Sequence, residues 1–368
     1  MERQLRDGLR RLADLVVPEH VQAAERLQKA VWDYEPVERI PVIVHHLAPP
    51  DWPLYSFSEA FDNPERMLWN QLREARIGAG VRDDRMMNVR ANYGLATVPS
   101  LFGAKVHVDD TTTWVEPCHS SRTIREIVDR GMPDLAGGLG GKVLETEILF
   151  RDTLRDYGLA PYVHLFQADN QGPFDCAYLL WGQEIYVAMH DEPELVHALL
   201  DLISKATIAF VRRQKEALGE ADNEMYHWWY RVPAGVRVVD DVTINLSPTM
   251  YAEFDRPYNE QLFAAFGNGY IHYCGHGLQS QDLRLATRGL RGIEMGAEEA
   301  WRNPTYTLEA VCARAAEYRV TICWAGPGLP SERPAGLNTG LVYGFWEDGL
   351  TWEDAPDRLA NARALWGS

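Results

Sequence analysis

Residues 270–277, "YIHYCGHG", set a histidine and a cysteine two positions apart within a run that reads as a β-strand. In an extended strand, residues i and i+2 point to the same side. His272 and Cys274 are therefore expected to face one cavity, with Gly275 and Gly277 ending the strand just beyond them. A neutral imidazole and a thiolate are two of the ligands that zinc takes, and a tetrahedral site asks for one or two more. The same spacing also fits a histidine hydrogen-bonded inside the fold, beside a cysteine that packs as a small apolar residue. Spacing alone leaves both readings open.

Other polar residues stand where a cavity could use them. Asp240 and Asp241 end an apolar run, and because neighbours alternate sides only one of them can point inward. An inward carboxylate there would orient a substrate cation or act as acid or base, so both are candidate catalytic residues. The structural alternative is a group that caps a loop or pairs with Arg231 or Arg237. Asp169 and Gln171 lie on the loop in "QADNQGPF", placed to hydrogen-bond a substrate, with Gly172-Pro173 shaping the turn. In "YHWWY" (226–230), His227 and Trp229 share one face if the run is a single strand, which would build an aromatic wall for a flat or cationic molecule. His45 and His46 follow the first strand, and His45 is a candidate substrate-binding residue with acid–base capacity.

These residues need elements to position them. Short β-type runs, at 39–47, 161–169, 225–232, 236–244, 270–275, 289–296, 319–326 and 340–346, alternate with helical segments. Several are continuously apolar, as strands covered on both faces are. Helices are expected at 191–219, from Ser247 and Pro248 onward, at 305–319 and at 351–366. No Gly-rich nucleotide loop follows an early strand, and Asp169, Asp240, Asp241, Cys274, Glu294 and Cys323 all sit at C-terminal strand ends. That pattern predicts a TIM (β/α)8 barrel over residues 39–368, behind an N-terminal helical extension over 1–38.

Composition narrows the function classes. The chain has 368 residues, 46% apolar and 24% charged, as a soluble globular protein does. A net charge of −17, with no segment concentrating Lys and Arg, argues against nucleic acid as a partner. No stretch approaches the roughly 20 apolar residues of a membrane span. The charged amphipathic start carries no apolar signal core, so a cytoplasmic location is expected. Five widely spaced cysteines do not form a disulfide framework. A homo-oligomer is left open.

The segment "DDVTINLSPTMYAEFDRPYNEQLFAAFGNGYIHYCGH" resembles the uroporphyrinogen decarboxylase superfamily, as do "NVRANYGLATVPSLFGAKV" (88–106) and "DNQGPFDCAYLLWG" (169–182). The resemblance implies a TIM barrel with a deep cleft at the C-terminal strand ends. It implies one of two chemistries: decarboxylation without a cofactor, or methyl transfer from a methylated corrinoid protein. The Arg-rich motif that clamps porphyrinogen carboxylates is replaced here by "VIVHHLAPPDWPLYS", which speaks against that substrate. The leading expectation is a methyltransferase for a small molecule, fed by a corrinoid protein or a methylated small molecule. A lyase or decarboxylase on a non-porphyrin substrate is the alternative. In thiol-specific members a His-x-Cys pair and a later cysteine hold zinc. His272 and Cys274 match the pair, but the last strand, "GLVYGFWEDG", has no cysteine. Cys323 or Glu347 is then expected to complete the site.

Overall fold

The computed structural model describes residues 1–296, 307–334 and 336–367. It is an α/β fold around a parallel sheet. Six strands are hydrogen-bonded in the order β1 (Val42–Val44), β12 (Leu341–Trp346), β11 (Thr321–Pro327), β10 (Leu290–Gly296), β9 (Gly269–Tyr273) and β8 (Val236–Val239). Every neighbouring pair among them is parallel. A second parallel pair joins β2 (Met87–Val89) to β5 (Val163–Leu165). Two small antiparallel hairpins stand apart: β3 (Lys105–Val108) with β4 (Thr113–Glu116), and β6 (Met225–His227) with β7 (Tyr230–Val232).

The arrangement is that of a TIM-like barrel, but among the described residues no strand ladder closes the ring. Side chains and single bonds occupy the two seams. Between β1 and β2, Val42 N donates to Asp84 Oδ2 (2.8 Å), Val44 N donates to Asp83 Oδ2 (2.9 Å), and Asp84 N donates to Val42 O (3.0 Å). Between β5 and β8, Gly172 N donates to Val239 O (2.8 Å), and Gln167 Nε2 donates to Gly235 O (3.0 Å). β2 and β5 are only three residues long, so a few carboxylates and amides suffice to satisfy the backbone there.

Strand parity sorts the side chains into two layers. Val236, Val238, Ile271, Ile293, Ile322, Leu341 and Tyr343 face a core shared with Leu262 and Phe263, Val311 and Ala315, and Leu359 and Trp366. Those partners lie on the helices Arg256–Ala265, Leu308–Glu317 and Ala355–Trp366. The alternate residues face the other way, where Ile43, Tyr270, Cys323 and Val342 pack with Trp32, Met225 and Tyr230. One row crosses this inner face in register: Val239, His272, Glu294, Cys323 and Val342.

Two helices precede the sheet. Arg3–Leu15 buries Leu5, Leu9 and Leu12, spaced for one helical face. Pro18–Trp32 sends Gln28 against the backbone of Asp84 (2.7 Å) and Trp229 (2.9 Å), and its Trp32 sits where a side chain on Gly292 would collide.

Several expected elements differ. The run 225–232 is not one strand: β6 and β7 fold back on each other at Trp228-Trp229, so His227 and Trp229 do not share a strand face. The helix expected from Pro248 breaks into Pro248–Phe254 and Arg256–Ala265, where Pro257 cannot donate a backbone bond. The helix expected over 305–319 starts at Leu308 with Thr307 as its cap, since Thr307 Oγ1 accepts from Ala310 N (3.2 Å). Its first two expected residues lie outside the described residues. No described helix is long and apolar enough to cross a membrane.

Candidate functional site

A cleft of about 460 Å³ opens beside the C-terminal ends of β8, β9 and β10. Its walls include Arg90, Asp169, Gln171, Trp228, Trp229, Arg237, Asp241, His272 and Glu294. Parity explains the β8 contributions. Val238 belongs to the helix-facing core, so Arg237 and Val239 point inward, and Asp241 follows in the same sense. Asp240 points the opposite way and is fully buried.

Asp241, His272 and Cys274 form a cluster in which one donor atom from each lies within 4.8 Å of the others. His272 Nε2 is 3.2 Å from Cys274 Sγ and 3.9 Å from Asp241 Oδ1. Asp241 Oδ1 also accepts a bond from Cys274 N (2.7 Å), which fixes the strand end against the β8 loop. On the far side of the imidazole, Nδ1 is 3.1 Å from Glu294 Oε2. Glu294 is the register neighbour of His272, so the sheet itself sets this contact. A carboxylate on one ring nitrogen with the other aimed at candidate ligands is how metal-binding histidines are commonly oriented. Nitrogen, sulfur and oxygen donors at this spacing are a set that zinc accepts.

The electrostatics follow from burial and pairing. Burial opposes charge on His272, but Glu294 and the contact with Cys274 outweigh it and push the imidazole up to about 10. Burial likewise opposes ionisation of Glu294, yet His272 and His227 hold its carboxyl well below the usual range. His227, with Nε2 3.8 Å from Glu294, is lowered to about 3 by burial and by Arg237, so it stays neutral.

The other wall is cationic. Arg237 Nη1 contacts Asp169 Oδ1, and Arg90 Nη1 lies 3.3 Å from Asp169 Oδ2. These two guanidiniums overcome the effect of burial and keep the Asp169 carboxyl well below its usual range. Trp228, the first residue of the β6–β7 turn, lays its ring over the Arg90 guanidinium with 4.7 Å between centres. Its φ of +47° is a conformation that a bulky residue rarely takes. Trp229 is anchored by Nε1 donating to Glu74 Oε2 (2.7 Å).

The structure thus gathers Asp169, Gln171, Trp229, Asp241 and His272 on one cleft, with Cys274 beside His272 and Asp241. Other candidates lie elsewhere. Asp240 accepts from Asn259 Nδ2 (3.2 and 3.1 Å) in a buried layer with Asp255. Burial lifts Asp240 to about 6, against the pull of Arg284 and Asn259. His45 packs edge-on against Trp229 with ring centres 4.2 Å apart, and burial lowers it to about 3. Cys323 shares the inner row but is buried in the apolar cluster with Tyr270, and burial pushes its thiol well up. Glu347 is bound by Arg358, whose Nε donates to both carboxylate oxygens (2.7 and 2.8 Å). Neither Cys323 nor Glu347 joins the cluster of Asp241, His272 and Cys274.

Sequence reasoning missed Arg90 and Trp228 as parts of the site, and it placed Glu294 at a strand end without giving it a role. Glu294 had a signal, a lone acid inside the apolar run "GIEMG" at a strand end. Arg90 had almost none, because β2 is too short to show a pattern.

No family model matches the chain, and no curated protein matches it. Among solved structures, its fold is similar to that of a methyltransferase from Methanosarcina mazei, with a TM-score of 0.65 and 16% identity over 93% of this chain and 98% of that one.

Proposed function

We propose that the protein is a methyltransferase related to the uroporphyrinogen decarboxylase superfamily, with zinc held by His272, Cys274 and Asp241. The methyl group would come from a corrinoid protein or a methylated small molecule. The observation that carries this reading is the three-donor cluster at the edge of the cleft, with its donor atoms within 4.8 Å of one another. The fold likeness to a methyltransferase supports it at the level of architecture. Asp241 takes the place expected for Cys323 or Glu347, because both of those are committed to other surroundings.

When bound, zinc supplies Lewis acidity, which keeps an acceptor thiol deprotonated at neutral pH. The chain's own residues do the rest. Glu294 holds the His272 ring so that Nε2 faces Cys274. Asp241 anchors the Cys274 backbone. Trp228 and Trp229 form part of the cleft wall. One carboxylate in place of a second thiolate leaves a harder ligand set.

Metal analysis of protein purified without added zinc tests the reading. About one zinc per chain is expected, lost in Cys274→Ala and Asp241→Asn and kept in Cys323→Ala. Transfer of a labelled methyl group from a methylated corrinoid to a thiol should fail in the same two variants. Wild-type protein that takes up no zinc, or a Cys274→Ala variant that keeps it, would sink the proposal.

A further inference from the structure

The cationic wall carries more charge than it uses. Arg90 and Arg237 are 6% and 7% exposed, and one carboxylate, Asp169, serves both. The next carboxylate, Glu294, is committed to His272 at 3.1 Å and lies 3.8 Å from His227. The Arg90–Arg237–Asp169 group therefore holds one uncompensated positive charge.

Among the described residues, Arg90 Nε and Arg237 Nε are buried without a hydrogen-bond partner, and Arg90 Nη1 has only its 3.3 Å ion pair with Asp169. Two guanidiniums that share one carboxylate carry excess positive charge at the cleft wall, and an anion supplied by a ligand offsets it. The surroundings keep the Arg90 guanidinium in place. Trp228 covers it at 4.7 Å, and Phe166 lies 5.7 Å away. Trp228 reaches that position only by adopting a left-handed backbone at a turn where glycine is usual. Its carbonyl is held there by Asn88 Nδ2. Such strain is found where the surroundings over-determine it, often at ligand sites.

We propose that Arg90, backed by Trp228 and Arg237, docks a carboxylate group of the substrate. One uncompensated positive charge matches a singly charged carboxylate better than a phosphate dianion. Arg90 and the cluster of Asp241 and His272 line the same cleft, so the substrate's anionic end sits on β2 and its reacting end on β8 and β9. The inference rests on reading this cleft as the substrate site but not on zinc being there.

Isothermal titration with butyrate and the equally sized, uncharged butyramide tests it, using chelator-treated full-length protein so that no metal holds the carboxylate. Butyrate should bind at least tenfold more tightly than butyramide. Arg90→Met should lose that preference, and Arg90→Lys should keep part of it, with far-UV circular dichroism checking the fold of each. The wild-type comparison needs no variant and stands if Arg90→Met does not fold. Equal binding of the two ligands, no butyrate binding at millimolar concentration, or unchanged affinity in Arg90→Met would each overturn the proposal. So would inorganic phosphate binding more tightly than butyrate. A protein that binds butyrate this way but takes up no zinc would keep the carboxylate dock and lose the metal reading.

Discussion

Glu147 offers a quantitative test of how the loop bearing Asp169 and Gln171 is held. It lies on the helix Gly140–Asp156 and has no solvent exposure. Its Oε1 accepts from Gln214 Nε2 (2.9 Å), and Asn170 Nδ2 in turn reaches the oxygens of Gln214 (3.3 Å) and Gln167 (3.4 Å). Burial, with a smaller push from Glu220, lifts the Glu147 carboxyl from an ordinary 4.5 to about 8 against the pull of Gln214. In the folded chain the acid therefore keeps its proton through neutral pH, while in the unfolded chain it loses it. Between those two values the unfolded state binds fewer protons, so stability falls as pH rises, by up to about 1.4 kcal/mol per pH unit. From about pH 5 to pH 8 the loss is on the order of 4 kcal/mol. Glu147→Gln keeps the acceptor for Gln214 and cannot ionise. Its stability relative to the wild type should climb steadily over that range and level off above it. Urea unfolding curves at each pH, followed by circular dichroism, measure the difference directly. A gap that stays constant with pH would mean that Glu147 is not protonated in the fold, and the reasoning would fail.

Other substitutions probe other contacts. Glu294→Gln removes the carboxylate charge facing His272 Nδ1 and should lower zinc affinity about 10–100-fold, read by competition with a chelator. Arg284 is fully buried, donates to Gly277 O (2.7 Å) and Thr243 Oγ1 (3.1 Å), and is the cation facing Asp240 and Asp255. Arg284→Met should cost about 3–5 kcal/mol in chemical denaturation, because it strands buried carboxylates. Finally, purified protein should not turn over uroporphyrinogen, since the one uncompensated charge on its cationic wall cannot match a polycarboxylate. Coproporphyrinogen formation detected by chromatography would contradict this.

The strands were legible where apolar residues ran on without a break. "VIV", "VRVV", "GYIHY", "TICWAG" and "LVYGFW" all lie in the six-stranded sheet. Placing His272 and Cys274 together needed only the strand period. Choosing between Asp240 and Asp241 needed to know which face the helices cover, and the local sequence is apolar on both. "MYHWWYRV" reads as one strand because every residue in it favours strands. Its turn rests on Trp228 in a conformation that no propensity assigns to tryptophan. Which residue stands third beside His272 and Cys274 was not legible for similar reasons. Cys323 is in register with Glu294, but what fills the space above it is decided by packing between distant segments.

The seams between the sheet segments have a dynamic consequence. Within the six-stranded sheet, an amide is released only when a ladder of neighbours opens with it. At Val42 and Val44 the amides are held instead by the carboxylates of Asp84 and Asp83. Such bonds break once a carboxylate leaves its arginine clamp, Arg39 and Arg363 on Asp84 or Arg85 on Asp83, with no need for the strands to part. Hydrogen exchange at these two positions should therefore report a local opening of lower free energy than global unfolding. The cooperative boundary of the protein would run along that line, separating the pair β2–β5 from the six-stranded sheet.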